Sequence, residues 1–366
     1  MEETGSHVLS EFCLNAESLQ AAMAACIPFA SRWPLWPIMS NMLLRVDSDG
    51  VYLSATDRDD SIRVQVAGTG VGALCLPPSA RDMLPQDGTV YLQADGAQVR
   101  VGALTFKGFD PSGYPALPVV PEEGQWVQTD ELLRILPRAV TCANRRDKGR
   151  PLLTAVHAIP GGEVLATDGY RIYVHNPTDT GRVLGALDVK IPASSIAKLT
   201  KPTVRRRLPA ELRLAKATHA QVCAAGDGVT VWLRSLEGRY PKVLSMLPAK
   251  YPVSFRVDVA ALREALKRLL PVVGGHPYSV QVDVGADALR LSASSSEGKG
   301  EEDVPISDAH GEGLRIAFDA LAFHDGLRRL APKKGAVLVE FSGATTIARF
   351  HVSDDSTYYQ MPLAID

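Results

Sequence analysis

The sequence predicts an α+β protein made of three copies of one module, each with two helices packed on antiparallel sheets. Three observations carry that expectation: an opening of strand, cap and helix that occurs three times, downstream strands that recur in the same order, and a tyrosine-proline or methionine-proline segment closing each copy. At 366 residues the chain exceeds what one hydrophobic core usually serves. A long-period repeat then dictates the architecture.

The openings are FCLNAESLQAAMAACI from Phe12, WVQTDELLRILPRAV from Trp126 and SFRVDVAALREALKRLL from Ser254. Asn15, Thr129 and Asp258 are read as helix caps, because their side-chain oxygens can accept from the free amides of a first turn. Behind the caps, Leu19, Met23, Cys26 and Ile27 repeat the spacing of Leu262, Leu266, Leu269 and Leu270, which makes one buried helical stripe in each copy. The middle copy keeps Leu133 and Val140. Its Pro137 falls on that stripe, so a kink or an early end is expected there.

Next come the alternating segments VYLSATDRDD (Val51 to Asp60), EVLATDGYRI (Glu163 to Ile172) and LRLSASSSEG (Leu289 to Gly298), each a strand running into a turn of small polar residues. LCLPPSARDML, VKIPASSIAKL and LRIAFDALAFHDGL then pair a strand with a second helix, two of them marked by Pro77 and Pro192 near the first turn. Tyr114-Pro115 and Tyr240-Pro241 close two copies, and Tyr358-Tyr359-Gln360-Met361-Pro362 closes the third. Boundaries near Gln125 and Tyr251 follow, giving modules 1-125, 126-251 and 252-366.

Composition narrows the class. With 46% hydrophobic and 22% charged residues the chain reads as a soluble globular protein. No run reaches the roughly 18 apolar residues of a membrane span, and MEETGSHVLS is unlike a secretion signal, so a cytoplasmic protein without a membrane partner is expected. Five widely spaced cysteines, Cys13, Cys26, Cys75, Cys142 and Cys223, suggest reduced, mostly buried thiols. The formal charge of -2 lacks the basic excess usual in a nucleic-acid partner. Its distribution matters more than its sum.

Catalytic signatures are absent. Lys299 in Glu-Gly-Lys-Gly lacks the spacing and hydroxyl residue of a phosphate loop, the eight histidines show no metal-ligand spacing, and no Gly-x-Ser-x-Gly elbow occurs. Asp57 and Asp168 occupy matching turns and read as caps of their own backbone. A non-enzyme without cofactor or metal is expected.

Several segments resemble the beta subunit of bacterial DNA polymerase III, the sliding clamp. PLWPIMSNMLLRV, with Pro37, Ile38 and Asn41, is similar to the family's first-domain segment; ATDGYR (Ala166 to Arg171) to its central motif; LEGRYPKVLSMLP (Leu236 to Pro248) to the close of its second domain; and Met361-Pro362-Leu363 to its ending. The resemblance implies a head-to-tail dimeric ring of clamp domains, helices lining the hole, that slides on double-stranded DNA as a processivity factor. It also implies as partners a second copy, the replicative polymerase, an ATP-dependent clamp loader and other proteins bearing a clamp-binding motif.

Basic residues on the helices fit that geometry: Arg134 and Arg138, Lys198 and Lys201, Arg263, Lys267 and Arg268, and Arg328 and Arg329, followed by Lys333 and Lys334. Such residues also serve as the solvated face of any amphipathic helix. The first helix, Ala16 to Ile27, carries Glu17 and no positive charge, which leaves Arg32 or Arg81 to approach DNA there. Arg145, Arg146, Lys148 and Arg150 form a loop that the family places near DNA. Arg205-Arg206-Arg207 reads equally as a DNA-facing or a solvent-exposed turn.

The resemblance further implies a peptide cleft walled by Leu153, Thr167, Gly169, Tyr170, Arg171, Ile172, Pro241, Met246, Tyr359, Met361, Pro362 and Leu363. Leucine, proline, tyrosine and adaptable methionine suit a short apolar peptide. Tyr170 stands where the family usually has histidine, and the chain ends Ala364-Ile365-Asp366, from which a narrower pocket with a more acidic rim is expected. For the dimer contact the candidates are Phe106 and Phe109 against Leu270, Val272 and Val273. The competing reading is a variant or second-copy clamp, acting as a scaffold or drug-tolerant partner with altered peptide selectivity.

Overall fold

The computed structural model describes residues 9–32, 35–144, 147, 149–177, 187–274, 278–296, 298–311 and 313–364. Arg145, Arg146 and Lys148 lie outside them.

The first repeat runs β1 (Ser10–Asn15), α1 (Ala16–Cys26), β2 (Met42–Asp47), β3 (Gly50–Thr56), β4 (Ser61–Val66), β5 (Gly68–Val71), β6 (Ala73–Leu76), β7 (Thr89–Asp95), β8 (Gln98–Val101) and β9 (Leu104–Lys107). The second has β10 (Gln125–Gln128), α2 (Thr129–Ala139), β11 (Ala155–Ala158), β12 (Val164–Thr167), β13 (Arg171–His175), β14 (Val189–Pro192), α3 (Ala193–Leu199), a single turn α4 (Pro202–Arg205), β15 (Glu211–Thr218), β16 (Gln221–Gly226) and β17 (Val229–Arg234). The third has β18 (Val253–Asp258), α5 (Val259–Leu269), β19 (Ser279–Val284), β20 (Ala288–Ser295), β21 (Gly298–His310), β22 (Leu314–Asp319), α6 (Ala320–Leu330), β23 (Ala336–Phe341), β24 (Ala348–Ser353) and β25 (Ser356–Gln360).

Sheet order makes the threefold repeat explicit. One four-strand motif occurs as β1-β7-β8-β9, β10-β15-β16-β17 and β18-β23-β24-β25; the other as β6-β2-β3-β4, β14-β11-β12-β13 and β22-β19-β20-β21. Every described pairing is antiparallel. The last strand of one motif pairs with the last strand of the preceding repeat's other motif: β17 with β4, and β25 with β13. The chain thereby packs as two compact units, one built from residues up to Leu133 with Ser194–Glu237, the other from Arg134–Ala193 with residues from Gly238 on. Each unit holds parts of two repeats.

The three opening helices start at Ala16, Thr129 and Val259, and each ends in a 3-10 turn beginning at Ile27, Val140 or Leu270. This register puts the middle copy one residue earlier than the sequence expectation. Asn15 and Asp258 do cap, accepting from Ser18 N and Ala261 N at 2.8 Å each. Thr129 is instead the first helical residue, and its hydroxyl donates to the Pro209 carbonyl at 2.6 Å. With the one-residue shift, Leu132, Ile135, Leu136 and Ala139 take the buried positions of Leu262, Ala265, Leu266 and Leu269, while Leu133 is half-buried. Pro137 is therefore exposed, off the stripe, and α2 keeps the same eleven residues as α1 and α5.

The first repeat's second helix is also corrected: Pro78–Met83 is a 3-10 segment, not an α-helix. Pro85 explains it, since a residue before proline avoids the α region, and Leu84 is extended at φ -77 and ψ 145. Cys26, Cys75, Cys142 and Cys223 are buried and free, and Cys13 is half-buried and free. Among the described residues no helix is long and apolar enough to cross a membrane.

Candidate peptide pocket

The second unit contains a cavity of about 620 Å³ whose lining is mostly apolar. Its geometry begins at the turn between β12 and β13. Asp168 Oδ1 accepts from Tyr170 N at 3.0 Å and Arg171 N at 2.8 Å, and Thr167 Oγ1 accepts from Gly169 N at 3.0 Å. Gly169 takes φ +95, a backbone state that side-chain-bearing residues rarely adopt. The turn so fixed presents the Tyr170 ring outward, 68% exposed.

Below the turn, the Tyr240 hydroxyl accepts from Thr167 N at 3.1 Å and donates to the Ala155 carbonyl at 3.2 Å, tying β12 to β11. Burial pushes that phenol well above its ordinary range, so it acts as a neutral strut. Leu165, Ile172, Val174, Tyr240, Val243, Ile347 and Tyr359 form one buried cluster, with Leu152, Leu244 and Leu247 against it. From β25 the chain continues to Met361, whose N–H donates to the Tyr170 carbonyl at 2.8 Å. Met246, 75% exposed, and Met361 supply the adaptable part of the wall.

Of the residues expected to wall a cleft, Leu153, Thr167, Gly169, Tyr170, Ile172, Pro241, Met246 and Met361 line this cavity. Tyr359 lies in the cluster beneath it, while Leu363 donates its N–H to the Ala317 carbonyl at 2.8 Å and Pro362 is half-buried beside it. Arg171 turns away: its Nε donates to Asp168 at 2.9 Å and its guanidinium lies 3.7 Å from Asp325. Arg150, Arg239, Leu152, Pro248 and Thr345–Ile347 line the cavity without having been anticipated there. Arg150, paired with Asp147, and Arg239 stand on the described rim; Ile365 and Asp366, from which a more acidic rim is expected, lie outside the described residues.

The expected DNA-facing residues are spread over both units. Arg32, Arg81 and Lys201 are exposed. Lys198 turns inward, bridging Asp57 and Asp60, the latter at 2.7 Å. Arg134 reaches Asp355 at 2.7 Å and Arg138 donates to the Leu330 carbonyl at 2.6 Å. Arg150 pairs with Asp147 at 2.8 Å, Arg268 with Glu302 at 2.7 Å and Lys267 with Glu264 at 3.8 Å. Arg328 and Arg329 share Asp325 at 2.6 Å each, and Arg263 is half-buried. Phe106 lies on the edge strand β9, whereas Phe109 packs on its own core of Ile38, Met39, Leu43, Cys75 and Tyr114. Leu270, Val272 and Val273 are half-buried, Val272 beside Gly298 and Gly300 at the start of β21.

Residues 244–364 match the family model of the DNA polymerase III beta subunit, C-terminal domain. The beta sliding clamp of Synechococcus elongatus is 27% identical, covering 81% of this chain and 84% of its own. These likenesses point to the DNA polymerase III beta subunit family. The beta sliding clamp homolog GriR of Streptomyces muensis is likewise 27% identical over 81% of this chain and 82% of its own. The crystal structure of the Bacillus subtilis DNA polymerase sliding clamp has the same fold: TM-score 0.85 at 22% identity, covering 98% of this chain and all of that one. Within the cavity, the segment matching the family model supplies Met246, Pro248, Thr345–Ile347 and Met361.

Proposed function

We propose that this chain is a polymerase processivity factor, two copies closing head to tail around duplex DNA and tethering other replication proteins through the pocket of the second unit. The observation that carries the ring is the sheet junction. Two of the three possible junctions form within the chain, β17 on β4 and β25 on β13. Their third counterparts, β9 and the first half of β21, keep an open edge among the described residues. Joining β9 of one copy to β21 of another, twice, leaves neither edge open and repeats one interaction around a closed dimer.

The edges suit each other. Leu104 and Phe106 alternate with Thr105 and Lys107 on β9, while Lys299, Glu301 and Asp303 are exposed along β21. Basic helices hold phosphate without reading bases, which suits a protein that must slide. The pocket suits an apolar peptide, and its two arginines favour a carboxylate near the anchor. No step in this role requires catalysis by the chain.

Light scattering and DNA retention test the reading together. The native protein should run at twice the chain mass, and once placed on nicked circular DNA by a clamp loader it should be retained, then lost when the circle is cut. Phe106→Glu should give monomers that are not retained. A native monomer, or equal retention on linear and circular DNA, would remove the ring.

A further inference from the structure

The segment that leaves the first repeat builds a smaller cavity in the first unit. After Tyr114-Pro115, residues 116–120 lie against the sheet beside the β17–β4 junction, where Leu117 and Val120 pack on Cys223, Ala225 and Trp232. Between this segment, Arg45 of β2, Arg63 of β4 and Trp232 of β17 is a space of about 270 Å³. The peptide pocket of the second unit, about 620 Å³, is made in the same way, beside the β25–β13 junction and walled by the segment that begins Tyr240-Pro241.

The polar lining sets the smaller cavity apart. Trp232 is 1% exposed, and its indole Nε1 is buried without a hydrogen-bond partner among the described residues. Arg63 Nε is likewise buried and unpartnered, although another nitrogen of the same guanidinium pairs with Asp47 at 3.0 Å and the group lies 3.7 Å over the Tyr52 ring. Arg45 pairs with Asp47 at 2.9 Å and completes the polar side chains of the wall. An indole N–H and a guanidinium can only donate, so the side chains of this lining offer donors and no acceptor. A buried donor left unpaired is costly, and two stand side by side along one cavity.

We propose that this cavity binds a small carboxylic acid with a short branched hydrocarbon body, its carboxylate taking the Trp232 and Arg63 donors and its body lying against Leu117, Pro118 and Val120. A carboxylate is acceptor-only and forms charge-assisted bonds, whereas the protons of a neutral amide would meet no side-chain acceptor in the wall. The volume suits a small molecule better than a peptide chain. Both donors are sealed from solvent, so the acid enters as residues 116–120 give way; Val119, 83% exposed, is held on one side only. The site is independent of the ring and of the peptide pocket.

The test uses the intact protein labelled with nitrogen-15 tryptophan, and sodium 3-methylbutanoate as the probe. Of the four indole N–H signals, the one missing from W232F belongs to Trp232. That signal should move downfield and saturate with a dissociation constant on the order of 1 mM, the range open to so small a ligand, while the other three stay in place. 3-Methylbutanamide, of the same shape without the charge, should bind on the order of tenfold more weakly. R63M should weaken the acid by a similar factor and leave the amide unaffected; if R63M does not fold, the acid and amide titrations of the native protein decide alone. No saturable movement, equal movement with the amide, or equal movement with sodium chloride overturns the inference. So does a saturable shift confined to the other tryptophans, which would place the acid elsewhere.

Discussion

At the scale of single residues, the second unit is sensitive where a glycine meets a buried phenol. Gly326 sits inside α6, and a Cβ there would lie 2.4 Å from the Tyr358 hydroxyl. Tyr358 cannot yield easily, being fully buried, hydrogen-bonded to Gln360 and packed on Phe350. Glycine to alanine inside a helix usually stabilises by up to about 1 kcal/mol, but forcing atoms into a packed core costs about 1–3 kcal/mol. Gly326→Ala should therefore lower the thermal midpoint; a rise would show that the helix can shift away. Asp355 makes a second prediction. Burial raises its carboxyl, but hydrogen bonds from Arg134, Ser353 and Ser356 outweigh this and hold it well below the ordinary carboxylate range. A depressed folded value means that its stabilisation is complete above about pH 4, the unfolded value, and is lost as pH falls below it. Asp355→Asn should cost about 1–3 kcal/mol at neutral pH and flatten the acid limb of the unfolding curve; an unchanged acid limb would count against the network. A third concerns thiols. Burial pushes Cys75 and Cys223 up to about 12, and Cys26 and Cys142 further. Native protein should label with a thiol reagent at Cys13 alone, and all five cysteines should label after denaturation.

At the scale of elements, the repeat was legible because each copy writes the same strand, cap and apolar stripe into its sequence. Its register was not fully legible. Thr129 is a good capping type, but Gln128 precedes the helix and Thr129 begins it, and only the position of Pro209 in the fold reveals where that hydroxyl goes. A one-residue slip in a helix turns each side chain by about 100°, which is why Pro137 seemed to lie on the stripe. The ATDGYR turn was legible for the opposite reason: its hydrogen bonds are local, running from Thr167 and Asp168 to the next three residues. Residues 345–347 reach the cavity from the loop between β23 and β24 and carry no motif of their own, while Arg239 lies within LEGRYPKVLSMLP, where nothing local assigns its side chain to the wall. Their arrival changes the expected selectivity. A fluorescent apolar peptide with a carboxylate beside its anchor should bind several-fold more tightly than its amide counterpart, and R150A/R239A should abolish the difference. Equal affinities in the native protein would leave the rim without a role in selection.

For the whole molecule, sequence repeats and packing units divide the chain differently. Local patterns report modules, whereas compactness follows the sheet junctions, and β17 on β4 and β25 on β13 join strands from neighbouring repeats. No local pattern announces which strand will pair with a strand from another copy, so this division was invisible in the sequence. If the two units melt separately, Gly326→Ala should move one calorimetric transition and leave the other in place. The charge pattern shows the same limit: lysines and arginines were visible on the helices, but some of the carboxylates that occupy them come from distant segments, as Asp57 and Asp60 do for Lys198 and Asp355 does for Arg134. The margins of β9 and β21 have one more effect. β9 is four residues long, and the open part of β21 alternates Lys299, Glu301 and Asp303 with small or half-buried neighbours. Short, charge-studded borders discourage adhesion to unrelated strands. A lone copy waiting for its mate should thus stay in solution without seeding fibrils.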